Sequence, residues 1–348
     1  MSRSTRSCSS RLPLRRLAAF VLVAALALGT AGCGVRGAER QDTLRLGVAL
    51  YSQDDTFIAS IAQHLERMAQ EAEVDQGRRI NLSLADGANN QTTQMEQIDR
   101  FLSRGCDVLL VNIVDRTAAA VLIDKAEAAG VPVIFFNRQP VAEDIDYREG
   151  VYYVGARAEE SGRLQGELVL EAWQNERIGL DRNGDGVLQY VMLEGEPGHQ
   201  DSLLRTEYSI KTLTDAGVAV EKLAGDAANW NRGQAAARME QWLAEFGDGI
   251  EAVFSNNDDM ALGAIDAIKD WGGGLLVVGV DATAPALEAI ESGDLFGTVL
   301  NDGRGIARAM LTLALALADG AAPESAVDLQ GGHYVWLPYQ KIGQELPG

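Results

Sequence analysis

From Leu44 onward the chain alternates short apolar runs with longer stretches whose apolar residues recur at helical spacing. LRLGVALY (44–51), INLSLA (80–85), DVLLVNIV (107–114) and VPVIFF (131–136) are rich in β-branched residues and read as strands. Between them, FIASIAQHLERMAQEA, QMEQIDRFLSRG and AAAVLIDKAEAAG carry apolar positions at i, i+3 and i+4 and read as helices. This βαβα rhythm predicts a parallel sheet with helices on both faces, because each crossover must run back over the sheet before the next strand can start.

The rhythm then restarts. VYYVG, VLQYVMLEG, VAVEKLAG, IEAVFSNN, LLVVGVDA and LFGTVLN are strand candidates, with helices beginning near Ser161, Ser202, Gly233, Met260 and Ala284. RGIARAMLTLALALADG (304–320) is a further helix, closed by Gly320. A single open sheet of about ten strands is at the limit that strand twist allows. The expected architecture is therefore α/β, with two doubly wound parallel-sheet lobes facing each other.

The N-terminus follows a different pattern. Arg3, Arg6, Arg11, Arg15 and Arg16 precede the apolar run LAAFVLVAALAL (17–28), which is the layout of a secretory signal spanning residues 1–32. Thr30-Ala31-Gly32-Cys33 resembles a bacterial lipobox, which would make Cys33 a lipidation site and residues 33–43 the linker to that anchor. The Arg15-Arg16 pair also permits twin-arginine export. The protein is thus expected outside the cytoplasm, in the periplasm or on the outer face of the cytoplasmic membrane. Cys8 leaves with the signal and Cys33 carries lipid, so Cys106 alone remains and a disulfide framework is excluded. The formal charge is −20 before the basic signal is removed, so nucleic acid and anionic lipid surfaces would repel the mature chain.

In open α/β sheets, ligands bind beyond the carboxyl ends of the strands. Tyr51 is followed by Asp54, Asp55 and Phe57; Phe136 by Asn137 and Arg138; the run ending near Leu193 by His199, Asp201 and Arg205. Phe254 is followed by Asn256, Asn257 and Asp258, Val280 by Asp281, and Leu300 by Asn301 and Asp302. Any one of these Asn or Asp residues is equally explained as a helix N-cap. Together they combine acceptors, pure donors and amides that do both, which suits a ligand with hydroxyls on every edge. Phe57 and Trp230, one from each lobe, could cover the two faces of a flat ring. A hydroxyl-rimmed ring with apolar faces is a pyranose sugar.

On YSQDDTF, FFNRQP, YYVGARAEESG, LEGEPGHQD with Arg205, NNDDMALGA, VVGVDA and GTVLND, the sequence resembles the D-galactose/D-glucose-binding proteins of bacterial ABC importers, which are class I periplasmic binding proteins. The resemblance runs from about Leu44 to the C-terminus. It implies a non-enzymatic receptor whose lobes are joined by a hinge, with chain crossings near Ala156, Leu300 and Trp336. The first lobe is then 44–156 plus 301–336, and the second 157–300 plus 337–348. Asp55 is implied near the sugar's 4-hydroxyl, with Phe57 and Trp230 stacking on the ring. Asn137, His199, Asp201, Arg205, Asn257, Asp281 and Asn301 are the implied hydrogen-bonding partners. Arg138, where the family commonly has Lys, is expected to be peripheral. The implied partners are a monosaccharide, D-galactose or D-glucose, and an ABC permease with its separate ATPase; a chemoreceptor or sensor kinase is the alternative. The chain is expected to be a monomer.

DRNGDGVLQ (181–189) matches the first nine positions of an EF-hand calcium loop, with Asp181, Asn183, Asp185 and Gln189 at positions one, three, five and nine and Gly186 at six. Met192 occupies position twelve, where a bidentate Glu is required. The family resemblance supplies that ligand from Glu251, adds the backbone carbonyl of Val187, and makes Ca2+ a structural ion. An Asx-rich turn that binds nothing is the alternative. Other chemistry is poorly supported. His64, His199 and His333 are far apart and no HExxH or CxxC is present, so neither a zinc site nor a Cys–His nucleophile is expected. No GxxxxGK[ST] phosphate loop exists, which assigns the ATPase to another chain. Asp201 and Asp281 could flank a glycosidic bond as in a secreted glycosidase, but the neutral amides around them favour recognition over proton transfer.

Overall fold

A computed structural model describes residues 43–344. The expected signal, Cys33 with nearly all of its linker, and residues 345–348 lie outside them. The elements alternate as the periodicity predicts. They are β1 (Leu44–Leu50), α1 (Thr56–Gln76), β2 (Ile80–Asp86), α2 (Gln91–Ser103), β3 (Val108–Val111), α3 (Ala119–Ala128), β4 (Val133–Phe136), the short α4 (Ala142–Asp146) and β5 (Val151–Gly155). There follow α5 (Ala158–Gln174), β6 (Val187–Glu194), α6 (Gln200–Asp215), β7 (Ala219–Ala227), α7 (Arg232–Phe246), β8 (Ala252–Ser255), α8 (Asp258–Trp271) and β9 (Leu276–Val278). The last are α9 (Ala284–Glu291), β10 (Gly297–Leu300), α10 (Gly303–Ala318), β11 (Tyr334–Trp336) and β12 (Gln340–Gly343).

The strands form two sheets of six, ordered β11-β5-β4-β3-β1-β2 and β12-β10-β9-β8-β6-β7. All pairings are parallel except that of β12 with β10. The two orders match strand for strand. In each sheet the first strand of the run sits between the second and third, so the chain winds outward both ways and the crevice opens at that switch point. The chain passes from one sheet to the other three times: between β5 and α5, between β10 and α10, and between β11 and β12.

Local chemistry explains the elements. Asp55 caps α1 by accepting from Ile58 N at 2.9 Å, Ile58, Ile61, Ala62, Leu65 and Ala69 form its buried stripe, and Gly77 ends it at φ 63°. That stripe packs with α10 and the inner strands as one core, while a second core with α2 and α3 covers the other face of the same sheet. The second sheet is likewise sandwiched between two cores. Gly162 and Gly166, one turn apart on α5, let that helix lie against the backbone of α6, since a Cβ at either would meet α6 carbonyls. This close approach fixes the helix that carries Arg205.

Three features depart from the sequence reading. The LLVVGVDA run is regular only over β9, because Gly279 lies against the Asp258 carboxylate and the chain then bends at Asp281 (φ 120°) and Ala282 (φ 55°). The strands β11 and β12 carry too few residues to display an alternation. Helices α5, α6, α7 and α8 start one to three residues before the expected positions, the last three behind side-chain caps from His199, Asn231 and Asn257.

Candidate functional site

The carboxyl ends of both sheets face one cleft, lined by Tyr51, Asp55, Phe57, Ile58, Asn137, Arg138, His199, Asp201, Arg205, Trp230, Asn257 and Asp281. It is narrow and partly open to solvent. Every expected sugar-contacting residue except Asn301 lines it. Asn301 stands behind Asp281, to which its Nδ2 donates at 3.4 Å, and lines an adjoining groove.

Several of these side chains are helix caps, and the cap bond orients them. His199 begins α6; its Nδ1 accepts from Asp201 N at 3.1 Å, which leaves the proton on Nε2. Burial, with Arg138, Arg205 and Arg116 nearby, pushes its pKa well below the usual range. His199 is therefore a neutral donor. Asn257 caps α8 by accepting from Met260 N at 3.0 Å, and its Nδ2 donates to Trp230 O at 3.4 Å. Asn137 sits at φ 58°, Trp230 at φ 62° and Asp281 at φ 120°. Non-glycine residues rarely adopt such backbone, and strained backbone of this kind clusters at ligand sites.

Arg205 organises the second lobe's wall. It is 3% exposed; Nη1 donates to Asn256 O at 2.7 Å, and Nη2 to Asp201 Oδ2 at 3.2 Å and to Tyr339 OH at 3.3 Å. Asp281 Oδ1 lies 3.9 Å from Nη1. Burial opposes the guanidinium charge, but Tyr339, Asp201 and Asp281 outweigh it and raise its pKa. Burial also raises Asp281 well above the carboxylate range, against the pull of Arg205 and with a push from Asp258 and Asp55. Asp201 is raised for the same first reason and held back by Arg205. Behind them Asp258, fully buried, accepts from Thr298 OH at 2.6 Å and from Thr283 N at 2.8 Å, and burial lifts it to about 7.

The Trp230 ring lies over Gly195, where any Cβ would clash with it, and meets the His199 ring edge-on at a centroid distance of 5.1 Å. Trp230 Nε1 and Arg205 Nε are buried with no protein partner, as is Asn301 Oδ1. Buried donors without partners are costly, so the Trp230 and Arg205 N–H groups in the cleft wall favour a polar ligand there.

Sequence reasoning missed Tyr51 and misjudged Arg138. Tyr51 OH donates to Asp55 Oδ2 at 2.5 Å, and its position at the end of β1 was the available signal. Arg138 is not peripheral. It lines the cleft at 5% exposure, stacks 3.6 Å above the Tyr51 ring and pairs with Glu196 at 2.9 Å. Its length lets the guanidinium reach both.

At the 181–189 loop, Asp181 accepts from Gly184 N at 2.8 Å and Gly186 N at 3.0 Å, and Asp185 Oδ1 accepts from Val187 N at 2.8 Å. Asn183 and Gln189 both donate to Asp185 Oδ2 at 3.0 Å. Glu251, 1% exposed, accepts from Arg182 N at 2.6 Å and Gln189 N at 3.1 Å, so it faces the loop. Among the described residues no three His, Cys, Asp or Glu side chains converge closely enough to form a metal cluster of themselves. The oxygens are of the kind calcium takes, and turning the Asn183 and Gln189 amides over would present oxygen where nitrogen now faces Asp185.

This cleft between two wound sheets is the architecture of a solute receptor. The chain belongs to the periplasmic binding protein family, whose domain matches residues 46–322. It is 39% identical over 326 residues to the D-galactose/methyl-galactoside binding periplasmic protein MglB of Haemophilus influenzae, spanning 93% of this chain and 95% of that protein. It is 29% identical over 307 residues to the xylitol-binding protein of Mycolicibacterium smegmatis, spanning 88% and 81%. Its fold superposes on an ABC transporter solute binding protein from Bacillus halodurans with bound myo-inositol at a TM-score of 0.73 and 28% identity, covering 88% of this chain and 96% of that one. The family consists of non-enzymatic solute-binding proteins, and membership implies an exported, periplasmic protein. Among the described residues no helix is long and apolar enough to cross a membrane.

Proposed function

We propose that this chain is the receptor of an ABC sugar importer: it closes on one D-galactose or D-glucose molecule and presents the closed form to a permease. The carrying observation is the cleft lining, in which Asp55, Asn137, His199, Asp201, Arg205, Asn257 and Asp281 meet between two aromatics from opposite lobes, Phe57 and Trp230. Carboxyl groups accept hydrogen bonds from hydroxyls, Arg205 and neutral His199 donate hydrogen bonds to ring and hydroxyl oxygens, and the amides do both. Asp55, Phe57 and Asn137 belong to the first lobe and Arg205, Trp230 and Asn257 to the second, so a sugar gains its full set of bonds only in the closed form. That differential is what shifts the open–closed equilibrium. Titration calorimetry against a panel of monosaccharides tests the reading. Saturable 1:1 binding of galactose or glucose is expected; heat from none of them, or turnover of an aryl-glycoside, would overturn it.

Two further features belong to the same reading. Asp181, Asn183, Asp185, Gln189, Glu251 and the Val187 carbonyl would hold a calcium ion, whose charge cross-links the loop to β8. Glu251 is the supporting observation, a buried carboxylate facing the loop from the neighbouring strand's start. A lipid on Cys33 would tether the receptor beside its permease, a proposal that rests on the Thr30–Cys33 sequence.

A further inference from the structure

Arg138 combines three contacts that no other cleft residue combines. Nη1 donates to Val114 O at 3.0 Å, Nη2 donates to Glu196 Oε2 at 2.9 Å, and the guanidinium lies flat above the Tyr51 ring, its central carbon 3.6 Å from the centroid. Val114 and Tyr51 follow strands of the first sheet, whereas Glu196 follows β6 of the second. The Arg205 pairs lie within the second lobe; the Arg138–Glu196 pair spans the cleft. The Arg138 side chain is 6% exposed and that of Glu196 32%, so the bond is partly shielded from water.

The same guanidinium reaches the ligand side of the cleft through Tyr51. The phenol it covers donates to Asp55 Oδ2 at 2.5 Å, while Asp55 Oδ1 is held by Ile58 N at 2.9 Å. Burial and the Asp55 charge raise the Tyr51 pKa, so the phenol keeps the proton it donates. Both Asp55 oxygens are thereby oriented, one by the start of α1 and one by a phenol that Arg138 pins in place.

We propose that Arg138 is a positioning residue of the cleft and, with Glu196, the latch of the closed form: forming the pair on closure both ties the lobes and sets Tyr51 and Asp55 against the ligand. The inference rests on the cleft being the sugar site. A lysine would keep the charge but could not lie flat on Tyr51 while donating in two directions, because its ammonium is a point donor and not a planar fork. Arg138→Lys is therefore a severe substitution here.

Stopped-flow tryptophan fluorescence with D-galactose and D-glucose separates capture from release. For Glu196→Gln, Arg138→Lys and Arg138→Met, sugar release is expected to accelerate about tenfold or more while association changes little, because loss of a shielded charge pair acts on dissociation. The Arg138→Met/Glu196→Gln double variant should release sugar no faster than the worse single variant, since one contact is lost in all of them. Glu196→Gln, on the half-exposed side of the pair, keeps the test readable if Arg138→Met fails to fold. Wild-type release rates in the variants, or effects that multiply in the double variant, would overturn the latch. A wild-type protein that binds neither sugar would overturn the cleft reading beneath it.

Discussion

Replacing Trp230 with Ala separates the two kinds of contact the cleft offers. Its indole lines the cleft, where it would cover one face of the proposed sugar, and its Nε1–H is buried without a protein partner. Stacking would remove roughly 50 Å² of apolar sugar surface from water, or about 1.2 kcal/mol at ~25 cal/mol per Å². A hydrogen bond from Nε1–H adds about 1 kcal/mol. The sum, about 2.2 kcal/mol, corresponds to a loss of roughly 40-fold in affinity. Trp230→Phe keeps most of the stacking and loses the donor, so it should cost only about fivefold. Gly195→Ala leaves the indole intact but puts a methyl group into it, so it should approach the Ala result. Titration calorimetry reads all three, with far-UV circular dichroism melts as the check on folding. Affinity unchanged in Trp230→Ala with the fold retained would refute the assignment of the ring to the ligand. Equal losses in the Phe and Ala variants would refute the stacking part alone.

Asp201→Ala removes both a cleft acceptor and a partner of buried Arg205. It should cost at least an order of magnitude in sugar affinity by calorimetry, and unchanged binding would contradict its placement. Chelating divalent ions should lower the melting temperature well before it abolishes sugar binding, because the 181–189 loop lies at the far end of β6 from the cleft; equal melting with and without chelator would count against the calcium proposal. Asp258 is protonated more readily folded than unfolded, so the stability it contributes is fully present below about pH 4 and is lost as pH rises through its folded value of about 7. Asp258→Asn should flatten the fall in melting temperature between those limits, and a profile as steep as wild type would refute the protonated assignment.

What was legible in the sequence was what repeats or ends a pattern. The β-branched runs fixed ten strands, and reading the residue after each run found the cleft, because in this fold a strand's carboxyl end is also the start of a capped helix. One Asn or Asp can therefore both cap a helix and line the cleft, as Asp55 and Asn257 do. Periodicity could not reveal what depends on the third dimension. Neither β11 nor β12 is long enough to alternate. The strained turn that delivers Asp281 depends on Gly279 touching Asp258, twenty-one residues away in the chain. Arg138 is the most instructive case. Judged by type, it was a substitution of one cation for another beside an expected contact, and such a change reads as neutral. Its role comes from what surrounds a planar group of that length: a carbonyl at Val114, a phenol face at Tyr51 and a carboxylate from the opposite lobe. Those three partners come from three different strand ends, which only the winding of two sheets around one cleft brings together.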